Sequence, residues 1–309
     1  MKKEKVLVFG SNGLVGSSVT EKLTNLTDKY KVYKPTRNEV NLFNFEKTNK
    51  LINEIQPNII INAAARVGGI VANNTYRTEF LLENLKININ ILQSVIINPN
   101  INVINLGSSC IYPLEAQNPI SEESLMSGKL EPTNSPYAMA KLTAIELGNA
   151  IAAQYGNKIL NLMPTNLYGP RDNFSLSDSH VIPGLIARMH QCKINNDPNF
   201  YVWGTGEPRR EFLFVDDLSD GILFFLENNI DQGIYNIGSG NEIKISKLVE
   251  KISKIIDYKG QIFFDVSKPD GNPRKLLDIS KVSKLGWKPK VSLDEGLNLT
   301  YDWYIKNKF

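Results

Sequence analysis

The sequence predicts an α/β protein built on a doubly wound parallel sheet, with a smaller C-terminal lobe. Three observations carry this. The first two thirds of the chain alternate short β-branched runs with longer helical patterns, the signature of repeated βαβ units. A glycine-spaced turn joins the first run to the first helical pattern. Beyond about Pro164 the elements shorten and turn signals gather at Tyr168-Gly169-Pro170, Gly204-Thr205-Gly206 and Pro269-Asp270-Gly271-Asn272-Pro273.

The first strand is Lys5 to Phe9, an apolar run that follows a charged start and turns at Gly10. Further strands are expected at Lys31 to Tyr33, Ile59 to Asn62, Val103 to Leu106 and Ile159 to Leu162. The longest helical pattern runs from Thr78 to Ile97, and a second begins after Pro136 and carries Tyr137, Lys141 and Glu146 through Gln154. Segments Asp216 to Glu227 and Tyr235 to Gly238 are expected to return to the sheet. The division is therefore residues 1–165 for the first domain and 166–309 for most of the second lobe, with a stretch near 211–238 rejoining the first. No internal repeat is visible.

A chain of 309 residues with 42% hydrophobic and 22% charged content is long enough to bury a large core without staples. Lys plus Arg number 35 against 32 Asp plus Glu, a formal charge of +3, and no basic run is interleaved with aromatics. Nucleic acid is not an expected partner. Cys110 and Cys192 are too few and too far apart for a disulfide framework or a zinc site, so a reducing cytoplasm and no metal are expected. The N-terminus lacks the cleavage region of a signal peptide. No apolar stretch approaches the roughly 20 residues that span a bilayer.

The segment VLVFGSNGLVGSSV places Gly10, Gly13 and Gly16 between strand and helix, with Ser11, Asn12, Leu14 and Val15 among them. Glycines there permit a tight turn and close approach of backbone to a pyrophosphate at the helix N-terminus. This turn makes the first domain a dinucleotide-binding (Rossmann) domain. An NAD site usually places an acid after the second strand, but here YKVYKPTRNEV puts Lys34 and Arg37 before any acid. A guanidinium suits a 2′-phosphate, so NADP(H) is the expected cofactor.

Tyr137 and Lys141, four residues apart, share one helical face. An adjacent ammonium is expected to lower the pKa of the phenol by stabilising the phenolate. Gly107-Ser108-Ser109-Cys110 stands at the end of the fourth strand. Ligands of such sheets bind outside the carboxyl ends of the strands, so the glycine turn, Ser108 and Tyr137 should converge on one crevice.

Ser108, Tyr137 and Lys141 resemble the Ser-Tyr-Lys set of the extended short-chain dehydrogenase/reductase family. Longer stretches resemble its GDP-L-fucose synthase branch: NAAARVGGIVANNTY, LGSSCIYP, EPTNSPYAMAK, MPTNLYGPRDNF, SHVIPGLIARMH, VWGTGEPRREFLFVDDL and SKPDGNPRKLLD. That resemblance covers nearly the whole chain. It implies NADPH-dependent conversion of GDP-4-keto-6-deoxy-D-mannose, with epimerisation at C3 and C5 before reduction at C4. A 4-keto group acidifies the hydrogens on both neighbouring carbons and then accepts the hydride, so one ketone serves all three steps.

Carried over by position, the resemblance implies Cys110 as base, His180 as the acid on the opposite face, Tyr137 as donor to the C4 oxygen and Ser108 as orienter of the ketone. It implies cofactor contacts at Lys141, Pro164, Thr165, Asn166, Leu167 and His180. For the GDP-sugar it implies Arg188, Trp203, Arg210 and Asp270: paired arginines suit a diphosphate and an indole offers a stacking face. It also implies a homodimer through the two long helices. The chain departs from the branch at Arg66, Arg171 and Asn12, where Lys, His and Arg are common; the last removes one cation from the 2′-phosphate end. His190 is read as structural. Two alternatives remain at this point. One is a C4 reductase of another GDP-4-keto sugar, such as a 6-deoxy-heptose, without epimerase activity. The other is a non-catalytic dinucleotide-binding regulator, which the joint presence of Ser108, Cys110, Tyr137, Lys141 and His180 disfavours.

Overall fold

The computed structural model describes residues 3–268 and 270–308. In chain order the strands are β1 (Glu4–Phe9), β2 (Tyr30–Tyr33), β3 (Ile59–Asn62), β4 (Asn102–Leu106), β5 (Ile159–Pro164), β6 (Asn166–Tyr168), β7 (Asn199–Trp203), β8 (Arg209–Phe214), β9 (Gly233–Ile237), β10 (Glu242–Lys244), β11 (Gln261–Asp265) and β12 (Arg274–Lys275). The helices are α1 (Leu14–Asn25), α2 (Phe45–Ile55), α3 (Ile70–Thr75), α4 (Arg77–Val95), α5 (Ser135–Tyr155), α6 (Val181–Asn195), α7 (Val215–Glu227), α8 (Ile245–Ile256), α9 (Ser280–Lys284) and α10 (Leu293–Lys308).

Six strands form a parallel sheet in the order β2-β1-β3-β4-β5-β9. Chain direction across the sheet reverses between β1 and β3, which opens a crevice at their carboxyl ends. The continuous apolar run of β1 follows from burial on both faces. Val6 and Val8 join one core with Val19 and Leu23 of α1 and Leu218, Ile222 and Phe225 of α7. Leu7 and Phe9 join the other with Ile52 of α2, Ile91 of α4 and Ile151 of α5. The segment after β8 packs back on the first half of the chain. Ser18 of α1 hydrogen-bonds Asp216 at 2.6 Å and Ser219 at 2.7 Å, and β9 lies beside β5.

In the second lobe β8 pairs with β10, β12 and β6, while β7 and β11 pair separately. Phe174, Ile182, Met189, Phe200, Phe212 and Leu248 are among the residues of its core. The elements are shorter here than before, with strands of three residues at β6 and β10 and two at β12, although α6 still has 15 residues and α10 has 16. The turn residues punctuate loops and strands, whereas α6 and α8 start without a capping side chain and so leave little trace in the sequence. Glu211, fully buried in β8, ties this lobe to the sheet. Its carboxylate accepts from Gly240 N at 2.7 Å and Leu277 N at 3.0 Å, and its main-chain oxygen accepts from Asn166 Nδ2 at 2.8 Å. Among the described residues no helix is long and apolar enough to cross a membrane.

Candidate active site

The glycine turn is shaped by crowding at two positions and left open at the third. Gly10 has φ +78°, and a Cβ there would stand 2.6 Å from the Ala63 carbonyl group. A Cβ on Gly16 would lie 2.1 Å from Gly10 O, so α1 packs on the turn only without a side chain. Gly13 meets only Gly10 O at 3.5 Å and caps α1 without a side-chain hydrogen bond. The first N–H groups of a 12-residue helix therefore face an open cradle, which fits a pyrophosphate. Asn12 is exposed at the tip, with Leu14 and Val15 half-buried on the first turn of α1. Ser11 Oγ lies 3.5 Å from Lys34 O, placing the residues after β2 beside this cradle. There Arg37 is exposed, its guanidinium 5.4 Å from the Phe43 ring centroid.

At the end of β4 the chain enters one turn of 3-10 helix, Ser109–Ile111, capped by Ser108, whose Oγ accepts from Cys110 N at 3.2 Å. A Cβ on Gly107 would press to 2.2 Å from Met163 Sδ, so strand and turn meet closely. The Tyr137 hydroxyl hydrogen-bonds Ser108, and its ring stands edge-on to Phe80 at 6.4 Å. Lys141 is 2% exposed, donates to Leu106 O at 2.7 Å and sits 5.8 Å from the Tyr137 ring centroid.

This corrects the expectation that the ammonium lowers the phenol pKa. Burial pushes Tyr137 above its ordinary value, with the nearby Cys110 adding to the rise and the Ser108 hydrogen bond opposing it. The Lys141 charge is directed to the Leu106 carbonyl and the face of the ring. Burial in turn lowers Lys141 to about 8. A phenol that keeps its proton at neutral pH is suited to donate it.

His180 caps α6, its carbonyl accepting from Gly184 N at 3.0 Å. The residue is exposed, yet the surrounding protein desolvates its imidazole and lowers its pKa. The segment after β3 reaches this loop, Gly69 N donating to Asp178 O at 3.3 Å. His190, buried in α6, pairs with the Tyr301 hydroxyl at 2.8 Å, in keeping with packing.

At the end of β5, Pro164 pairs with Ile237, and Thr165 N donates to Ile237 O at 3.0 Å. Asn166 and Leu167 continue into β6 against Phe212 and Leu213. Arg210 of β8 is half-buried; burial lowers its pKa, while Cys110 and Asp270 act in the opposite direction. The second lobe thus brings a guanidinium within electrostatic reach of the Cys110 sulfur. Asp270 joins two turns, accepting from Thr205 N at 2.9 Å and from Thr205 Oγ1 at 2.7 Å. Arg188 Nη1 donates to Tyr201 O at 3.2 Å, and its guanidinium lies 5.9 Å from the ring of the exposed Trp203.

Ser108, Cys110, Tyr137 and Lys141 are therefore one cluster within electrostatic reach of Arg210, and Gly69 touches the Asp178–Ser179 main chain just before His180. Sequence reasoning did not single out Phe80, Glu211 or Gly69, whose partners are distant in the chain. Arg66, where the branch often has Lys, pairs with Glu83 at 2.7 Å and lies 5.4 Å from each of the Tyr76 and Phe80 rings, buttressing the wall behind Tyr137.

The model of the NAD dependent epimerase/dehydratase family matches residues 6–238. The chain belongs to this family. It is 45% identical to GDP-L-fucose synthase 1 of Arabidopsis thaliana over 99% of this chain and 94% of that protein. It is 42% identical to the GDP-L-fucose synthase of Escherichia coli (strain K12) over 100% and 98%. Among solved structures, the GDP-mannoheptose C4 reductase MlghC of Campylobacter jejuni, with NADP bound, superposes with a TM-score of 0.88 at 29% identity, covering 99% of each chain. The family and the cradle agree: this is an NADP-dependent enzyme of the epimerase/reductase type.

Proposed function

We propose that the enzyme converts GDP-4-keto-6-deoxy-D-mannose to GDP-L-fucose by epimerisation at C3 and C5 and reduction at C4. The observation that carries the reading is Cys110, a thiol held one short turn from Ser108 and Tyr137 and close to Arg210. A reductase acting alone has no use for a second proton-transfer group beside the ketone.

In this reading Ser108 and Tyr137 hold the C4 oxygen. The Cys110 thiolate takes the proton from C3 or C5, and the C–H electron pair moves into the enolate. His180, whose lowered pKa makes its protonated form scarcer but a stronger acid, returns a proton taken up from solvent to the opposite face of the same carbon, leaving an inverted centre, a thiol and a neutral imidazole that exchange protons with solvent. NADPH, when bound, would supply the hydride for C4. The Tyr137 hydroxyl gives its proton to the C4 oxygen at that step, as a buried phenol with a raised pKa can. Gly10 to Gly16, Arg37, Lys141 and residues 164–167 hold the cofactor, while Arg188, Trp203, Arg210 and Asp270 hold the GDP-sugar.

The likeness to MlghC favours a second reading, C4 reduction of a related GDP-4-keto heptose without epimerisation. Incubation with GDP-4-keto-6-deoxy-D-mannose and NADPH, followed by identification of the sugar, separates them. GDP-L-fucose supports the first; a C4-reduced sugar with C3 and C5 unchanged supports the second. We also propose a cytoplasmic homodimer. Two free cysteines suit a reducing compartment. Leu82 and Ile89, one face of α4, and Met139 of α5 are exposed apolar residues on the paired helices.

A further inference from the structure

Ser179, the residue before His180, is wedged between two glycines. A Cβ on Gly69 would stand 2.7 Å from the Ser179 carbonyl oxygen, and one on Gly184 would stand 2.5 Å from Ser179 Oγ. Gly69 has φ −67°, a conformation open to any residue, so its requirement is space and not backbone freedom. The clash is with a main-chain oxygen, which cannot rotate away as a side-chain tip can.

The segment that carries Gly69 is itself fastened down. Asn73 Nδ2 donates to Gly68 O at 2.8 Å and Gly69 O at 3.0 Å. Asn84 of α4 grips Arg66 from both sides, accepting from its N at 3.0 Å and donating to its O at 3.0 Å. Arg66 also pairs with Glu83. A Cβ on Gly68 would lie 3.2 Å from Phe80, the residue packed against Tyr137. The strap from Arg66 to Asn73 is thus anchored on the helix behind Tyr137 and pressed on the residue before His180, whose side chain makes no capping hydrogen bond of its own.

We infer that Gly69 is a positioning residue for His180: the strap sets where the imidazole stands over the sugar, and so governs protonation from the second face. This rests on the reading of His180 as the acid. Gly69→Ala must displace the Ser179 carbonyl. A misplacement of about 1 Å can cost on the order of 100-fold, so net inversion at C3 and C5 should fall roughly 10- to 100-fold. Deuterium exchange from D2O at those carbons, NADPH binding and the melting temperature should stay near wild type.

The chain has two histidines, which makes a second readout simple. In protein labelled with 15N-histidine, the ring signals of His180 should move in Gly69→Ala, while those of His190, further along α6 and held by Tyr301, should not. If both sets stay put in the folded variant, the strap does not position His180 and the inference falls. If His180 moves but inversion is unchanged, positioning stands and the acid role of His180 fails. Asn73→Ala loosens the strap without adding an atom and covers the case in which Gly69→Ala does not fold. It should move the His180 signals in the same way and slow inversion about 3- to 10-fold, and unmoved signals there overturn the inference.

Discussion

Lys141 Nζ donates to the Leu106 carbonyl oxygen at 2.7 Å, which fixes the ammonium at the end of β4 under the face of the Tyr137 ring. Burial lowers its pKa to about 8, so its charge is present below that pH and lost above it. If reduction uses that charge to hold the cofactor beside Tyr137, the rate of C4 reduction should decline as pH rises through about 8. A pH profile of single-turnover reduction checks this; a rate that stays flat to pH 10 contradicts it.

Tyr137→Phe keeps the ring that packs against Phe80 and removes the hydroxyl bonded to Ser108. Reduction should fall by roughly 100- to 10,000-fold, the range of a general acid, with NADPH affinity and melting temperature close to wild type. Unchanged reduction would take Tyr137 out of the mechanism.

Arg37 stands exposed beside the loop that faces Ser11, where a 2′-phosphate would lie. With Asn12 in place of the cation common at that position in the branch, the proposed function leaves most of the selectivity to Arg37. Arg37→Ala should weaken NADPH binding about 10-fold or more, the scale of one charge-assisted contact, and leave NADH almost unchanged. Titration of both cofactors tests it, and equal losses would contradict the assignment.

The parts legible in the sequence were those with a local signature. The apolar run of β1 and the glycines after it reflect burial on two faces and a close approach that no side chain allows. Tyr137 and Lys141 reflect one helical turn. Other parts depend on partners far along the chain. Glu211, in β8, reads as one acid among the 32 of the chain, and only the fold shows it fully buried against Gly240 and Leu277. Gly69 reads as loop punctuation until Ser179 is placed beside it. The direction of the Tyr137 shift was also hidden, because spacing brings an ammonium near a phenol without saying which atom it faces.

Asp172 is a buried acid that the proposed chemistry does not use. It is 8% exposed, its Oδ2 has no hydrogen-bond partner, and burial raises its pKa from 3.8 to about 7. The folded chain therefore holds this proton more tightly than the unfolded chain. The group costs nothing below about pH 4, destabilises increasingly between pH 4 and 7, and carries its full penalty above 7. Asp172→Asn, which imitates the protonated carboxyl, should raise stability at pH 8 by up to about 4 kcal/mol and change it little at pH 4. Denaturation at the two pH values decides it; a gain that is equal at both would contradict the account.

The epimerase reading is tested most directly by deuterium exchange without reduction. With GDP-4-keto-6-deoxy-D-mannose in D2O and oxidised cofactor in place of NADPH, the wild-type enzyme should place deuterium at C3 and C5, and Tyr137→Phe should still do so. Cys110→Ala should abolish the exchange, and His180→Ala should lose net inversion, while both bind NADPH nearly normally. Absence of deuterium at both carbons in a wild-type preparation that reduces C4 when NADPH is added would contradict the epimerase reading and leave C4 reduction as the function of the site.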